Sequence, residues 1–526
     1  MNLTYTRRPR ASAEQAAIVQ AARTLAPREA LVACARAGTG KTFTLVETVK
    51  AVSGDVLVLV FGRKAAAEVR TRLKAEGVTA NVRVDTCHAF AKSMVSAAEP
   101  NFGKFYSIAK TEGSAGHIRN PRLQFIAAEL VDLALDLAVG LPGELPATLG
   151  TFQDILTGYA KRLPKGAKPE VLAAESLKLF GAVLRDTRTY TFSEYGYIVA
   201  RDGLPADVRF DYVLLDEAQD LNPQQLRVVD LLRERGARLV FYGDDRQGIY
   251  GWRGAGTDTF QAIRSRYSPQ VLPIQTTRRC GTAIVEEAQR IVPDIRAVEN
   301  ATEGVVGVLS PLELTPALVQ LVAEPEGSMV VLCRNNAPLL KATLNAVRAG
   351  LQVCVLGKSP KQTVNYILTR VFDAPNATFH DPEAFGRFEV ALRAELADKP
   401  FALAEELDRL ETARVLYDHV VATTRVTSLP ALLAEVAAAC AKYFADDEVP
   451  GTVTFSTIHR SKGLEWDHVF FLAPELIPGR AARKARGWHL TQEANLAYVA
   501  VTRAKQSLIY VSTQRDPLGD VIGAMS

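Results

Sequence analysis

A glycine-bearing turn between an apolar strand and a helix constrains this chain more than any other feature. Residues 31–35 read as a buried strand. Ala35-Arg36-Ala37-Gly38-Thr39-Gly40-Lys41-Thr42 follows, and helix-like sequence begins near Phe43. Strand, loop and helix in that order surround a phosphate with backbone N–H groups and the positive end of a helix. On this reading residues 37–42 cradle the phosphates of ATP, Lys41 meets the β- and γ-oxygens, and the Thr42 hydroxyl ligates Mg2+. The usual first glycine of the pattern is Ala35 here.

A second element supplies the partner that such a loop needs. Residues 210–220 read FDYVLLDEAQD, an apolar strand ending in adjacent carboxylates. A Mg2+-dependent ATPase needs one carboxylate to hold the metal's water shell and another to orient and deprotonate the attacking water. Asp216 suits the first role and Glu217 the second. Lys41 and Asp216 lie 175 positions apart (216 minus 41), so a single nucleotide-binding fold requires an insertion between them.

Chain length makes room for it. At 526 residues the chain exceeds what one hydrophobic core fills, so several domains are expected. Short Val/Leu/Ile runs at 31–35, 56–61, 212–215, 239–242, 329–333 and 469–472 read as buried parallel strands alternating with helices, a doubly wound α/β pattern. Residues 96–205 and 358–449 break the alternation with helical patterns and read as inserts. The 62 basic and 58 acidic residues leave a net charge of +4, which fits a polyanion partner without requiring one. Six cysteines form no CxxC pair or Cys/His cluster, which argues for a reducing cytosolic compartment and against a zinc site. No signal peptide is expected, and the apolar runs are too short to cross a bilayer. The basic stretch 479–487 reads equally as a solvated loop or a phosphate contact.

The order of motifs resembles the UvrD/Rep helicases of superfamily 1, over about residues 13–512. SAEQAAI (12–18) is similar to the family's adenine-reading Q motif, with Gln15 as reader. VLVFGRKAAA (58–67) is similar to motif Ia, with Phe61 and Lys64 at strand-contacting positions and Val60 and Arg63 replacing the family's Thr and Asn. TCHAF (86–90) resembles another strand contact, through Thr86 and His88. YGDDRQGIYGWRGA (242–255) resembles motif III: Gln247 senses the γ-phosphate, Tyr250 and Trp252 stack on bases, and Arg253 lies beside them. Stacking needs only a π-face and grips any sequence.

The second half completes the resemblance. PIQTTRRCG (273–281) is a degenerate motif IV in which Arg279 falls on the phosphate-contacting arginine and Arg278 replaces an adenine-stacking Tyr. VTFSTIHRSKGLEW (453–466) looks like motif V, with His459 and Lys462 near DNA or the coupling path, Gly463 at the nucleotide and Glu465 toward the ribose. EANLAYVAVTRAK (493–505) looks like motif VI, with Arg503 as arginine finger. The wording of several segments is similar to the compact branch that includes the F-box DNA helicase core.

The resemblance implies an α/β fold of two RecA-like parallel-sheet domains. Domain 1A takes residues 1–95 and 206–270, and domain 2A takes 271–357 and 450–526. The helical inserts 96–205 and 358–449 are 1B and 2B. It further implies ATP and Mg2+ between the α/β domains, single-stranded DNA and single-strand/duplex junctions as partners, and 3′→5′ unwinding. A DNA-stimulated translocase that remodels protein–DNA complexes, or the motor subunit of a nuclease or defence complex, remains the alternative. An RNA-dependent ATPase and a scaffold without turnover are rivals of other classes.

Overall fold

A run such as Val-Leu-Val-Leu-Val has no polar face, so as a strand it must be covered on both sides. The computed structural model describes residues 10–78, 81–98, 118, 121–158, 167–186, 190–249, 259–323, 327–357, 359–372, 381, 383–397, 400–445, 447–449, 451–479, 482–483 and 488–525. The chain divides into two compact units, Met1–Thr277 and Arg278–Ser526. In the first, that run is strand β2 (Val56–Val60), buried at every position.

It belongs to a six-stranded sheet with β1 (Ala30–Ala35), β3 (Val82–Thr86), β4 (Tyr212–Leu215), β5 (Arg238–Gly243) and β6 (Gln270–Ile274). The order is β3-β2-β4-β5-β1-β6 and every pairing is parallel. Side chains alternate between the two faces with the period of two that a strand imposes. Val32, Leu57, Leu59, Val213, Leu215 and Phe241 pack into one core with the helices that follow β3. Leu31, Ala33, Val58, Leu214, Val240 and Tyr242 pack into the other, against Ile18, Leu45 and Val69. Between β3 and β4 the chain runs through helices Cys87–Ala98, Pro121–Asp136, Leu149–Gly158, Pro169–Arg185 and Phe192–Asp202. Phe192–Asp202 starts where its sequence says it should: Thr191 and Glu194 form a capping box that satisfies two otherwise orphaned N–H groups.

Two-residue strands β7 (Thr276–Thr277) and β8 (Arg296–Ala297) lie outside the large sheets. The second unit is built on β9 (Val305–Leu309), β10 (Met329–Cys333), β11 (Val353–Leu356), β12 (Phe444–Ala445), β13 (Val453–Thr457), β14 (Trp466–Leu472) and β15 (Ala504–Val511). Their order is β12-β11-β13-β10-β14-β15-β9, again with every pairing parallel. Helices Lys361–Phe372, Ala384–Glu395, Pro400–Thr423 and Leu429–Tyr443 lie between β11 and β12, and they share one core with Val331, Val355, Phe455 and Phe470.

The fold is therefore α/β with two parallel sheets. All six cysteines are free thiols. Among the described residues no helix is long and apolar enough to cross a membrane. Leu214, fully buried in β4 between the two central neighbours of its sheet, measures how tightly that core is packed. Leu214→Ala is expected to lower stability by about 2–5 kcal/mol in urea unfolding, and a loss well below 1 kcal/mol would contradict the packing described.

Candidate functional site

Parallel sheets place reactive loops at the carboxyl ends of their strands. In the first unit β4, β5 and β1 are adjacent, so three loops far apart in sequence start side by side. The loop after β1 carries Lys41, the one after β4 carries Asp216 and Glu217, and the one after β5 carries Asp244 and Gln247.

The loop after β1 has the form its glycines dictate. Gly38 (φ 69°) and Gly40 (φ 82°) lie in the left-handed region, where a side chain is disfavoured. A Cβ on Gly40 would also come within 2.9 Å of the Gln15 amide nitrogen. Within the loop Ala37 and Thr39 are buried, and Thr42 is partly buried in the first turn of helix Lys41–Ala51. Gln15 is itself buried. Its Nε2 donates to the Thr39 carbonyl (3.0 Å), and its Oε1 accepts from the Ser12 N–H (2.9 Å). The residue expected to read adenine thus uses both ends of its amide on the protein, one of them on the phosphate loop.

Charges then organise the three loops. Lys41 Nζ lies 3.2 Å from Glu217 Oε1. Burial pulls the Lys41 ammonium down, but Glu217, Asp244 and Asp216 outweigh it and hold it above its usual value. Asp216 is buried, and that burial together with Glu217 pushes its carboxyl up to about 7 despite Lys41. Two crowded carboxylates facing one ammonium suit a divalent cation, so Asp216 with the Thr42 hydroxyl fits Mg2+, which typically takes few protein ligands. Glu217 has φ 52°, an uncommon left-handed conformation for a residue with a side chain, and its N–H donates to Asp216 Oδ1 (3.0 Å).

From Glu217 the network runs inward. Gln219 Nε2 donates to Glu217 Oε2, and Gln219 Oε1 accepts from the Asp244 N–H (3.0 Å). Asp244 is fully buried, and its Oδ2 accepts from Gln247 Nε2 (2.7 Å). The structure therefore brings Lys41, Asp216, Glu217 and Gln247 together. Tyr250, Trp252 and Arg253, the expected base contacts, lie outside the described residues. So do Arg480, Lys484 and Arg486 of the basic stretch.

Phe61, Lys64, Thr86 and His88 gather at the ends of β2 and β3, whose register pairs Val60 with Thr86. Phe61 and Lys64 are exposed, Thr86 and His88 partly buried, and burial lowers the His88 pKa.

In the second unit the expected residues divide between the two ends of the sheet. At the amino ends of β14 and β15, Glu465 is bracketed by Arg279 (Nε to Oε2, 2.6 Å) and Lys505 (Nζ to Oε1, 3.1 Å). Burial raises the Glu465 carboxyl, but the two cations outweigh it and hold it below its usual range. Arg503 is 1% exposed; its Nε donates to the Val499 carbonyl (3.0 Å) and its Nη1 to the Leu464 carbonyl (2.9 Å). The expected arginine finger is thus held inside its own unit, tying motif VI to motif V. Arg278 and Gly463 are exposed.

At the carboxyl ends, Arg334 after β10 pairs bidentately with the buried Glu493 (2.8 and 2.5 Å), and the Gly479 N–H donates to the same carboxylate (3.0 Å). His459 lies near this pair, with Lys462 partly buried after it. Burial and Arg334 lower the His459 pKa to about 4, against the pull of Glu493. The unfolded chain binds its proton near 6.5, so His459 favours folding fully above that pH and progressively less toward 4. The His459 ring is expected to stay neutral across pH 5–8 in an NMR titration, and His459→Gln should flatten the acid limb of stability; a midpoint near 6.5 would show the ring to be solvated.

Sequence reasoning missed Arg36, Gln219, Asp244, Lys505, Arg334 and Glu493. A charged side chain inside a phosphate loop was the one available signal, at Arg36. Comparison with known proteins agrees with the motif order. The UvrD/REP helicase N-terminal domain profile matches residues 14–139 and 205–268, and the UvrD-like helicase C-terminal domain profile matches 392–515. The chain is 26% identical over 326 residues to F-box DNA helicase protein 1 of Schizosaccharomyces pombe, covering 58% of this chain and 34% of that protein. It is 26% identical over 283 residues to ATP-dependent DNA helicase PcrA of Leuconostoc citreum, covering 50% and 37%. Against ATP-dependent DNA helicase UvrD2 of Mycobacterium bovis it is 25% identical over 559 residues, covering 92% and 76%. The chain thus spans little more than a third of the first two relatives. With motifs, sheets and both profiles in agreement, the chain belongs to the UvrD/Rep family of superfamily 1 helicases.

Proposed function

We propose that this chain is an ATP-driven motor that moves 3′→5′ along single-stranded DNA and opens duplex at single-strand/duplex junctions. One observation carries the reading. Lys41, Glu217, Gln219, Asp244 and Gln247 form a continuous bonded path from the phosphate loop to the loop after β5. In sequence that last loop runs directly into Tyr250 and Trp252. A change at the γ-phosphate sensed by Gln247 is then one short segment from an aromatic grip on bases, where stacking contributes about 1–3 kcal/mol per base.

In this reading the first sheet is RecA-like domain 1A, residues 1–95 and 206–270 with β6 completing it, and 96–205 is insert 1B. Residues up to 357 and 450–526 form domain 2A, and 358–449 form insert 2B. Mg2+, held through Thr42 and Asp216, supplies charge neutralisation on the phosphate oxygens when bound. Lys41 adds to it, Glu217 orients the attacking water and takes its proton, and Gln247 reports the γ-phosphate. Arg279 and Arg503 are assigned to the phosphates by resemblance, and Arg503 must first exchange its carbonyl partners. Phe61, Lys64, Thr86 and His88 form the strand-contacting edge of the first unit, and His459 and Lys462 that of the second. Gln15 supports the phosphate loop more directly than it reads a base, and Arg278 offers a guanidinium plane for adenine where the family has Tyr.

ATPase activity is expected to rise sharply with poly-dT and far less with poly-U. Duplexes with 3′ single-stranded tails should open faster than those with 5′ tails. Stimulated hydrolysis without opening would favour the remodelling translocase, and faster opening of 5′-tailed duplex would reverse the polarity. Glu217→Gln should retain ATP binding while turnover falls by about two orders of magnitude or more, so near-normal turnover would move the base elsewhere.

A further inference from the structure

Arg36 sits in the phosphate loop itself, where its backbone is fixed at both ends. Its N–H donates to the Ile274 carbonyl (2.9 Å), and its carbonyl accepts from the Thr39 hydroxyl (2.8 Å). Its side chain is buried and reaches the loop after β5. Nη1 lies 3.0 Å from Asp244 Oδ1 and 2.5 Å from Asp245 Oδ1. The Asp244 side chain is wholly buried, whereas that of Asp245 is 34% exposed. Asp244 therefore has the greater need of a counter-charge, because an unpaired carboxylate in that position is strongly disfavoured.

The same carboxylate is the acceptor for Gln247 Nε2, and its backbone N–H is the donor to Gln219. The bonds close a ring: from Arg36 along the loop to Lys41, across to Glu217, through Gln219 to Asp244, and back to Arg36. We propose that Arg36 is a positioning residue that clamps the phosphate loop to Asp244 and so sets where Gln247 and Glu217 stand for hydrolysis. This rests on the reading that Gln247 and Glu217 act at the γ-phosphate. Arg36 touches neither water nor phosphate in this role; it acts through the carboxylate it neutralises. Two acceptors for one guanidinium nitrogen, fixed by a planar head, make Lys an incomplete substitute.

The test compares Arg36→Met, Arg36→Lys and Asp244→Asn in the full chain. It reads steady-state ATPase with saturating poly-dT, together with amide hydrogen exchange over residues 243–249. Arg36→Met is expected to lower kcat by about tenfold or more, with KM for ATP within about threefold of wild type. Exchange over 243–249 should quicken. Arg36→Lys should recover part of kcat. Asp244→Asn, which keeps the side-chain shape but removes the charge that Arg36 holds, should reproduce the kcat loss. A raised KM with intact kcat would show that Arg36 only shapes the loop, and unchanged kcat in Asp244→Asn would equally overturn the clamp. Should Arg36→Met fail to fold, Arg36→Lys and Asp244→Asn decide the matter by the same two readouts. Wild-type protein without DNA-stimulated turnover would instead overturn the proposed function, and the exchange comparison would still judge the clamp.

Discussion

The ion pair between Lys41 and Glu217 is the contact on which the first unit's site depends. It forms because β1, β4 and β5 are neighbours, so loops separated by well over a hundred residues begin at one edge of the sheet. Acidic side chains outnumber basic ones there: Asp216, Glu217, Asp244 and Asp245 face Lys41 and Arg36. Partial burial strengthens each charge on its neighbours. The result is a set of groups whose positions are mutually dependent. Glu217 adds a backbone in an uncommon conformation, its N–H bonded to the Asp216 carboxylate and its side chain held by Gln219.

Much of this is legible in the amino-acid sequence. Some central strands announce themselves because burial on both faces leaves no polar residue in them, as in β2 and β4, whereas β13, equally central, buries Thr454 and Ser456. Edge strands are harder to read: β3 carries Arg83 and Asp85, and β9 is broken by Gly307 and exposes Val305 and Val308, a burial that its apolar sequence does not reveal. The turn 37–42 was legible because a left-handed backbone imposes glycine at fixed positions, and Asp216 with Glu217 because adjacent carboxylates end an apolar strand. Arg36 with Asp244 was not, since nothing in one-dimensional spacing says that a loop arginine finds a carboxylate 208 positions away. β6 belongs to the first sheet by its pairing with β1, a fact of register and not of composition.

The second unit gives the same lesson at Arg503. A motif match marks the residue, but only packing reveals that its guanidinium is buried against two backbone carbonyls. Those bonds join the end of helix Trp488–Val501 to the segment entering β14, and the Trp466 N–H returns a bond to the Arg503 carbonyl (3.0 Å). Glu465, one residue along, holds Arg279 and Lys505. Arg279, Glu465, Arg503 and Lys505, drawn from three motifs, thus form one bonded cluster at the amino end of their sheet.

Gln15 has a quieter consequence. Its amide completes the hydrogen-bonded start of helix Ala13–Thr24 and also fastens the carbonyl of Thr39. Fraying of that first turn would free the side chain from Ser12 and leave the Thr39 carbonyl of the loop without its donor. The order of the opening helix and the shape of the phosphate loop are therefore thermodynamically linked. Occupancy of the loop should accordingly be felt as protection of residues near the start of the chain, remote from any base.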